Sequence, residues 1–196
     1  GQGRFEDAIA AANQALEDTK QTSIDALFEK ALAEEGLGNA AAARTDYEAI
    51  LALTEKNQNT RERATLYAKI ADMDYRAGRK ADAEQNIAKA MELDPDNPDF
   101  YVQRGDWAVA DGNAANAFRD YDQAVAMGRN DAQMYAIRAE ARIGMAQNKY
   151  GTENVQALRG QLTAGEKQEI CSEVGKSLEL GLVDMQMDMF SALVCR

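Results

Sequence analysis

Three carboxylates stand at one interval in this chain: Asp72, Asp106 and Glu140, each 34 residues from the next. Carboxylates serve as general acids or bases, as ligands for hard cations, or as partners for lysine and arginine. They are also what a merely solvated acidic helix face carries. The chain has no histidine, which removes the commonest general base and the commonest metal ligand. It has no phosphate-cradling glycine loop, nucleophile elbow or zinc-spaced cysteine cluster. An enzyme built here would need a site of carboxylates, lysines and tyrosines alone, so no catalytic residue, cofactor or metal is assigned. The run Asp94-Pro95-Asp96-Asn97-Pro98-Asp99 has a hint of calcium-loop spacing. It lacks the turn glycine and the distant bidentate glutamate of such a loop, and reads as a turn between helices.

Sulfur is concentrated near the end of the chain. Met185, Met187 and Met189 alternate, and thioethers suit copper(I). On a helix Met187 points away from the other two, so packing is the favoured reading, with methionine as an adaptable gap-filler. A capping helix over Val183–Cys195 would carry Val183, Met187, Phe190 and Val194 on one side and Met185, Met189 and Leu193 on an adjoining one. Cys171 and Cys195 are the only two cysteines. If a turn near Gly181 joins antiparallel helices, the two lie within roughly 3–5 Å of each other along the axis at ~1.5 Å rise per residue. A disulfide is then geometrically open and would suit an exported, periplasmic protein. Against it, Cys195 falls beside Asp184 and Asp188 on the helix's polar side; free buried thiols in a cytoplasmic protein are the alternative.

The elements that would position these residues repeat. Ala64–Asn97 is followed at once by Pro98–Asp131, and the two segments superimpose. Tyr67 falls on Tyr101, Ala71 on Gly105, Gly78 on Gly112, Ala83 on Ala117, Ile87 on Tyr121 and Ala90 on Ala124. A fixed period of this length marks stacked helical hairpins, because one hairpin cannot bury its apolar face alone. Ala71 and Gly105 are small where two helices cross closely, and Gly78 and Gly112 sit where the chain leaves a helix through a left-handed cap. Ala83, Ile87, Ala90 and Met91 mark one face of a helix.

An early aromatic, a small residue, a glycine turn, then Ala, a large residue and Ala, closed by Leu93-Asp94-Pro95, resembles the tetratricopeptide repeat (TPR) family. The resemblance implies an all-α, right-handed superhelical array of antiparallel helix pairs, about four repeats with a C-terminal capping helix. It also implies a concave groove lined by the first helix of each pair, with Asp72, Asp106 and Glu140 pointing into it. The groove residues expected on that basis are Asp72, Tyr75, Asp99, Val102, Asp106, Val109, Gln133 and Glu140, with Tyr75, Val102 and Val109 for apolar contact. Arg76 lies near the same surface. The family's two-carboxylate clamp is absent, since its positions hold Phe28, Leu32, Lys69, Asp99 and Gln103. Arg104 and Arg138 are expected to pair with second-helix acids such as Asp120.

The expected organisation is a single array over 2–196. It comprises a partial repeat at 2–20 holding only a second helix, and repeats at 24–57, 64–97, 98–131 and 132–182. An insertion falls at about 147–165, and a cap at 183–196. Helix pairs are expected at 24–36 and 39–53, 64–77 and 80–93, and 98–111 and 114–127. Gly38 to Gly78 spans 40 residues, so the loop at Thr54–Arg61 is extended. Val155, Leu158 and Leu162 give the insertion a short helix, either a packed elaboration or a lid. Gly3-Arg4-Phe5 reads as a turn, and Gly1 fits a processing scar. The face of Ala8, Ile9, Ala12, Ala15 and Leu16 behind that turn needs a cover.

Net charge is −11, from 33 acids against 22 bases, which argues against nucleic acid or anionic lipid as the main partner. No run is long and apolar enough to span a membrane. The function that the resemblance implies is a non-catalytic module that binds a protein or peptide, basic in character, in an acidic groove. The alternative is a structural or oligomerising component of a larger envelope assembly, acting through its terminal helices.

Overall fold

The structure is a computed structural model that describes residues 2–56 and 59–195; Gly1, Arg196 and two residues of the extended loop, Asn57 and Gln58, lie outside the described residues. The chain forms two compact units, residues 1–97 and 98–196, divided at an expected repeat boundary. The described residues contain helices and turns and no strand.

Unit 1 holds α1 (Gln2–Asp18), α2 (Ile24–Gly36), α3 (Ala40–Leu53), α4 (Thr60–Arg76) and α5 (Lys80–Leu93). The α2–α3 and α4–α5 pairs are the expected hairpins. Gly3 lies inside α1 rather than in a turn, and α1 packs on α2, burying Ala12 and Leu16. The cover that the sequence left open thus comes in part from the next helix of the chain. Helix α4 starts four residues earlier than expected. Asn59 caps it by accepting from the Glu62 N–H at 3.5 Å, and Arg63 donates back to the Leu51 carbonyl at 2.7 Å and the Thr54 hydroxyl at 2.9 Å. The extended loop is spent partly as an extra turn of α4, pinned to the end of α3.

Unit 2 holds α6 (Asp99–Ala110), α7 (Ala114–Ala126), α8 (Ala132–Tyr150), α9 (Val155–Gln161), α10 (Ala164–Glu179), α11 (Met185–Phe190) and a closing π-helical turn, Ser191–Cys195. The expected insertion carries the short helix α9, whose Leu158 is fully buried with Ile170, Val174, Phe190 and Val194. Its first residues simply lengthen α8, which runs to Tyr150 and ends at the left-handed Gly151.

The hairpins are built alike. Each first helix ends at a glycine with positive φ, at +80° for Gly38, +77° for Gly78 and +72° for Gly112. At the second of these, the Gly78 N–H reaches the Tyr75 carbonyl at 2.9 Å and the Arg79 N–H the Asp74 carbonyl at 2.8 Å. These bonds close the orphan carbonyls of the helix end, in a conformation that a β-carbon disfavours. Ala31, Ala43, Ala71, Ala83, Ala117 and Ala139 are all fully buried, as close helix crossings demand. At Gly105 even one added carbon would stand 2.6 Å from the Tyr121 ring. The crossing is therefore matched by pairs, with Ala71 and Ile87 in one repeat and Gly105 and Tyr121 in the next.

Candidate functional site

The charges at the helix crossings sort themselves by repeat position. Lys30 pairs with Asp46 at 3.0 Å, Arg104 with Asp120 at 2.7 Å and Arg138 with Glu173 at 2.8 Å. Each joins the first helix of a hairpin to the second, and the three acids are buried. Arg104 and Arg138 thus face inward to helix acids, as their spacing implied, and are committed to the scaffold.

The α4–α5 repeat breaks the rule by carrying Ile70 and Asn86 at the two positions. Asn86 instead donates to Asp74 at 2.9 Å. Asp74 is fully buried and also receives Arg44 at 3.0 Å and Arg79 at 2.9 Å. Sequence reasoning missed this hub. The available signal was register: Asp74 shares its repeat position with Ala108, an interior-facing place for a carboxylate.

The face of α6 and α8 in unit 2 is where expected groove residues come together. Asp106 is exposed and accepts the Tyr121 hydroxyl at 2.7 Å, so α7 reaches through to fix a carboxylate on α6. Burial, then that bond, holds the Tyr121 phenol above its ordinary range. Glu140 on α8 is exposed, and its carboxyl is raised above the usual value by burial first, then by Asp184 and Asp106. Asp184 belongs to the α10–α11 connection and caps α11 by accepting from the Met187 N–H at 2.9 Å. No expectation placed it beside Glu140. The lengthened last repeat carries it there, and no sequence spacing reports that.

The remaining expected residues fare differently. Val102 is 7% exposed and sits in the core with Ala117, Tyr121 and Met134, so it is not available as a groove contact. Helix α6 is short and its Val102 side faces α7 and α8, which outweighs the placement implied by family resemblance. Val109 is half-buried against the same core, and Gln133 is exposed at the start of α8. Asp99 is ion-paired with Arg129, which also bonds Asp131 at 2.7 Å. In unit 1, Asp72 pairs with Arg76 at 2.8 Å, and Lys80 lies over the Tyr75 ring at 5.7 Å from its centre. Lys69 pairs with Glu35 at 3.1 Å.

The sulfur-bearing end departs from expectation in part. Met187, Phe190 and Val194 are buried, whereas Val183 lies outside the helix and is 96% exposed, and Met185 and Met189 are 83% and 47% exposed rather than packed. Cys171 and Cys195 are joined by a disulfide with Cα atoms 5.5 Å apart. A wider π turn rotates each residue by less than the α-helix's ~100°. Cys195 therefore lags from the side of Asp184 and Asp188 toward that of Met187 and Val194, where α10 lies.

The described residues include no cluster of three or more acids or cysteines arranged to hold a metal ion. No described helix is long and apolar enough to cross a membrane. Comparison with protein-family models gives no match, and comparison with curated proteins gives none. Solved structures do resemble the chain. A tetratricopeptide repeat protein from Parabacteroides merdae matches at 17% identity and TM-score 0.61, covering 100% of this chain and 79% of that one. A thermophilic TPR protein of Thermus thermophilus matches at 18% identity and TM-score 0.60, over 99% and 92%. YrrB, described as a TPR protein with an unusual peptide-binding site, matches at 15% identity and TM-score 0.51, over 93% and 97%.

Proposed function

We propose that this chain, which has the tetratricopeptide-repeat fold, is a non-catalytic protein-interaction module whose acidic α6–α8 face binds a lysine- or arginine-bearing segment of a partner. The observation that carries the reading is the presentation of Asp106 and Glu140. Both are exposed, they occupy one repeat position, and Asp106 is fixed by Tyr121 from behind. Other charges on the first helices, Lys30, Arg104 and Arg138, are consumed by crossings inside the hairpins. The Glu140 carboxyl is raised by burial first and then by Asp184 and Asp106, and a bound cation would offset the second of these causes. Val109 and Gln133 supply apolar and polar contact at the margins, and Asp99 contributes through its pair with Arg129. In unit 1, Asp72 occupies the same repeat position and Tyr75 that of Val109, with Arg76 and Lys80 beside them. The fold's use by YrrB in peptide binding supports the reading, and a disulfide fits an oxidising compartment.

Exposed ion pairs contribute only about 0.2–1 kcal/mol each, so the acids set orientation and association rate more than affinity. Glu140→Lys is the cleaner test, because Asp106→Lys also strips the Tyr121 hydroxyl of its acceptor. Peptides selected by the chain from a random dodecapeptide phage library should be rich in lysine and arginine. Their association should slow with added salt and slow further with Glu140→Lys, at an unchanged melting temperature. Binding should also weaken as pH falls, since a raised Glu140 takes up its proton earlier than an ordinary carboxyl at about 4.3 and loses its attraction for the cation. Selection of acidic peptides, or association indifferent to salt and to Glu140→Lys, refutes the reading.

A further inference from the structure

The connection from α10 to α11 exposes an apolar shoulder that the fold does not use. Val183 is 96% exposed and Met185 is 83% exposed, on either side of Asp184. Met189 lies one turn beyond Met185 on the same face of α11, and Leu180 ends α10 just before the shoulder; both are more than two-fifths exposed. Their neighbours Leu182, Met187 and Phe190 pack into the core, so the connection itself is held firmly while these side chains are turned outward. Singly exposed apolar residues are ordinary, but four within ten residues, two of them almost wholly bare, form a patch. Methionine is well suited to such a surface, because its flexible thioether moulds to different partners.

Charge identifies what covers it. Asp184 sits between Val183 and Met185, and its carboxylate acts on Glu140, which in turn feels Asp106. The shoulder thus carries a carboxylate of its own, Asp184, close enough to Glu140 to raise that carboxyl. A second copy of this chain laid on the shoulder would bring the same three carboxylates against their own counterparts, and like charges across an interface are strongly unfavourable. An anionic bilayer is repelled for the same reason.

We propose that Leu180, Val183, Met185 and Met189 form a docking surface for the apolar side chains of a cationic, amphipathic partner segment whose lysines or arginines meet Asp106, Glu140 and Asp184. The proposal rests on the acidic-face reading above and deepens it. The acids select the segment by charge, and the shoulder holds it by burying its apolar residues. The buried contact governs dissociation while the charges govern encounter, so the two contributions separate in kinetics.

The dodecapeptide library supplies the probe. Selection should enrich sequences in which leucine, isoleucine, phenylalanine or methionine stands beside lysine or arginine. The double variant Val183→Ser/Met185→Ser alters only exposed side chains and should fold with an unchanged melting temperature. It should weaken the selected peptide at least tenfold, or ~1.4 kcal/mol, through faster dissociation, with the salt dependence of association intact. Basic peptides that bind with the same dissociation rate in the double variant overturn the shoulder and leave the acidic face standing. Selected peptides without basic residues, or binding indifferent to salt and to Glu140→Lys, overturn both. Light scattering that finds a dimer in the native chain and a monomer in the double variant assigns the shoulder to a second copy and overturns the proposal.

Discussion

The pairing of Gly105 with Tyr121 makes a prediction whose sign distinguishes a matched crossing from an ordinary helix. Gly105→Ala placed in an open helix should stabilise by about 0.8–1.0 kcal/mol, because alanine is the better helix former. Here the new methyl would lie 2.6 and 2.8 Å from two carbons of the Tyr121 ring and 3.3 Å from the Ala117 carbonyl oxygen. The ring is fully buried and its hydroxyl is tied to Asp106, so it cannot swing away, and the carbonyl belongs to the α7 backbone. Overpacking of this kind costs roughly 1–3 kcal/mol. Set against the propensity gain, the net change is destabilisation of up to about 2 kcal/mol. Gly144 in α8 has nothing within 4 Å of its would-be β-carbon, so Gly144→Ala is the internal control and should stabilise. Urea unfolding followed through Trp107, the only tryptophan and a buried one, reads unit 2 directly. Tyr121→Ile removes the ring and recreates the Ala71–Ile87 pairing when combined with Gly105→Ala. In that background the Gly105→Ala change should no longer destabilise, a coupling of roughly 1–3 kcal/mol between touching residues. If Gly105→Ala stabilises as much as Gly144→Ala does, the close crossing is wrong and so is the repeat register built on it.

Three further perturbations test the frame. Arg104→Met leaves the buried Asp120 carboxylate without its main partner and should cost about 3–5 kcal/mol, while Arg104→Met/Asp120→Leu should recover most of that, both read by urea unfolding. The Lys149 ammonium, the Thr163 backbone and hydroxyl, and the Tyr150 hydroxyl hold Glu166 down at about 2. Its contribution is therefore fully present above the unfolded value near 4.3 and is lost as pH falls through about 2, so the stability gap between the native chain and Glu166→Gln should close across that window. The bridge between Cys171 and Cys195, 24 residues apart, should stabilise by about 3.5 kcal/mol on the loop-entropy estimate. Cys171→Ser/Cys195→Ser should lower the denaturant midpoint accordingly, and the native chain should show no alkylatable thiol before reduction.

What was legible in the sequence was whatever one repeat determines locally. The small residues at 71 and 105, the glycines at 78 and 112 and the inward arginines at 104 and 138 follow from spacing, because each acts within a single hairpin. The helix pairs they define have the expected bounds to within a residue or two, except where a cap intervenes. Asn59 and Arg63 begin α4 early through bonds to Leu51 and Thr54, contacts that periodicity cannot report. The expectation for Val102 failed for a related reason. Family resemblance assigns a position to a face, whereas burial depends on how closely α7 and α8 approach that face in this chain.

The deepest departures share one cause, which is length added to the last repeat. Extra residues extend α8, insert α9 and postpone α10, so the segment that follows no longer falls in register with the hairpins before it. Its half-buried Asp184 then lies close enough to Glu140 to raise that carboxyl, and Val183 and Met185 are left uncovered where a strictly periodic cap would have turned polar residues outward. The π turn at Ser191–Cys195 belongs to the same adjustment, since it brings Cys195 round to the helix carrying Cys171 and fastens the displaced end to the repeat that displaced it. A bond there constrains the end of unit 2 without touching the α6–α8 acids. Chain length added at the array's end thus changes what stands beside the shared acidic position, while the position itself continues to follow the repeat.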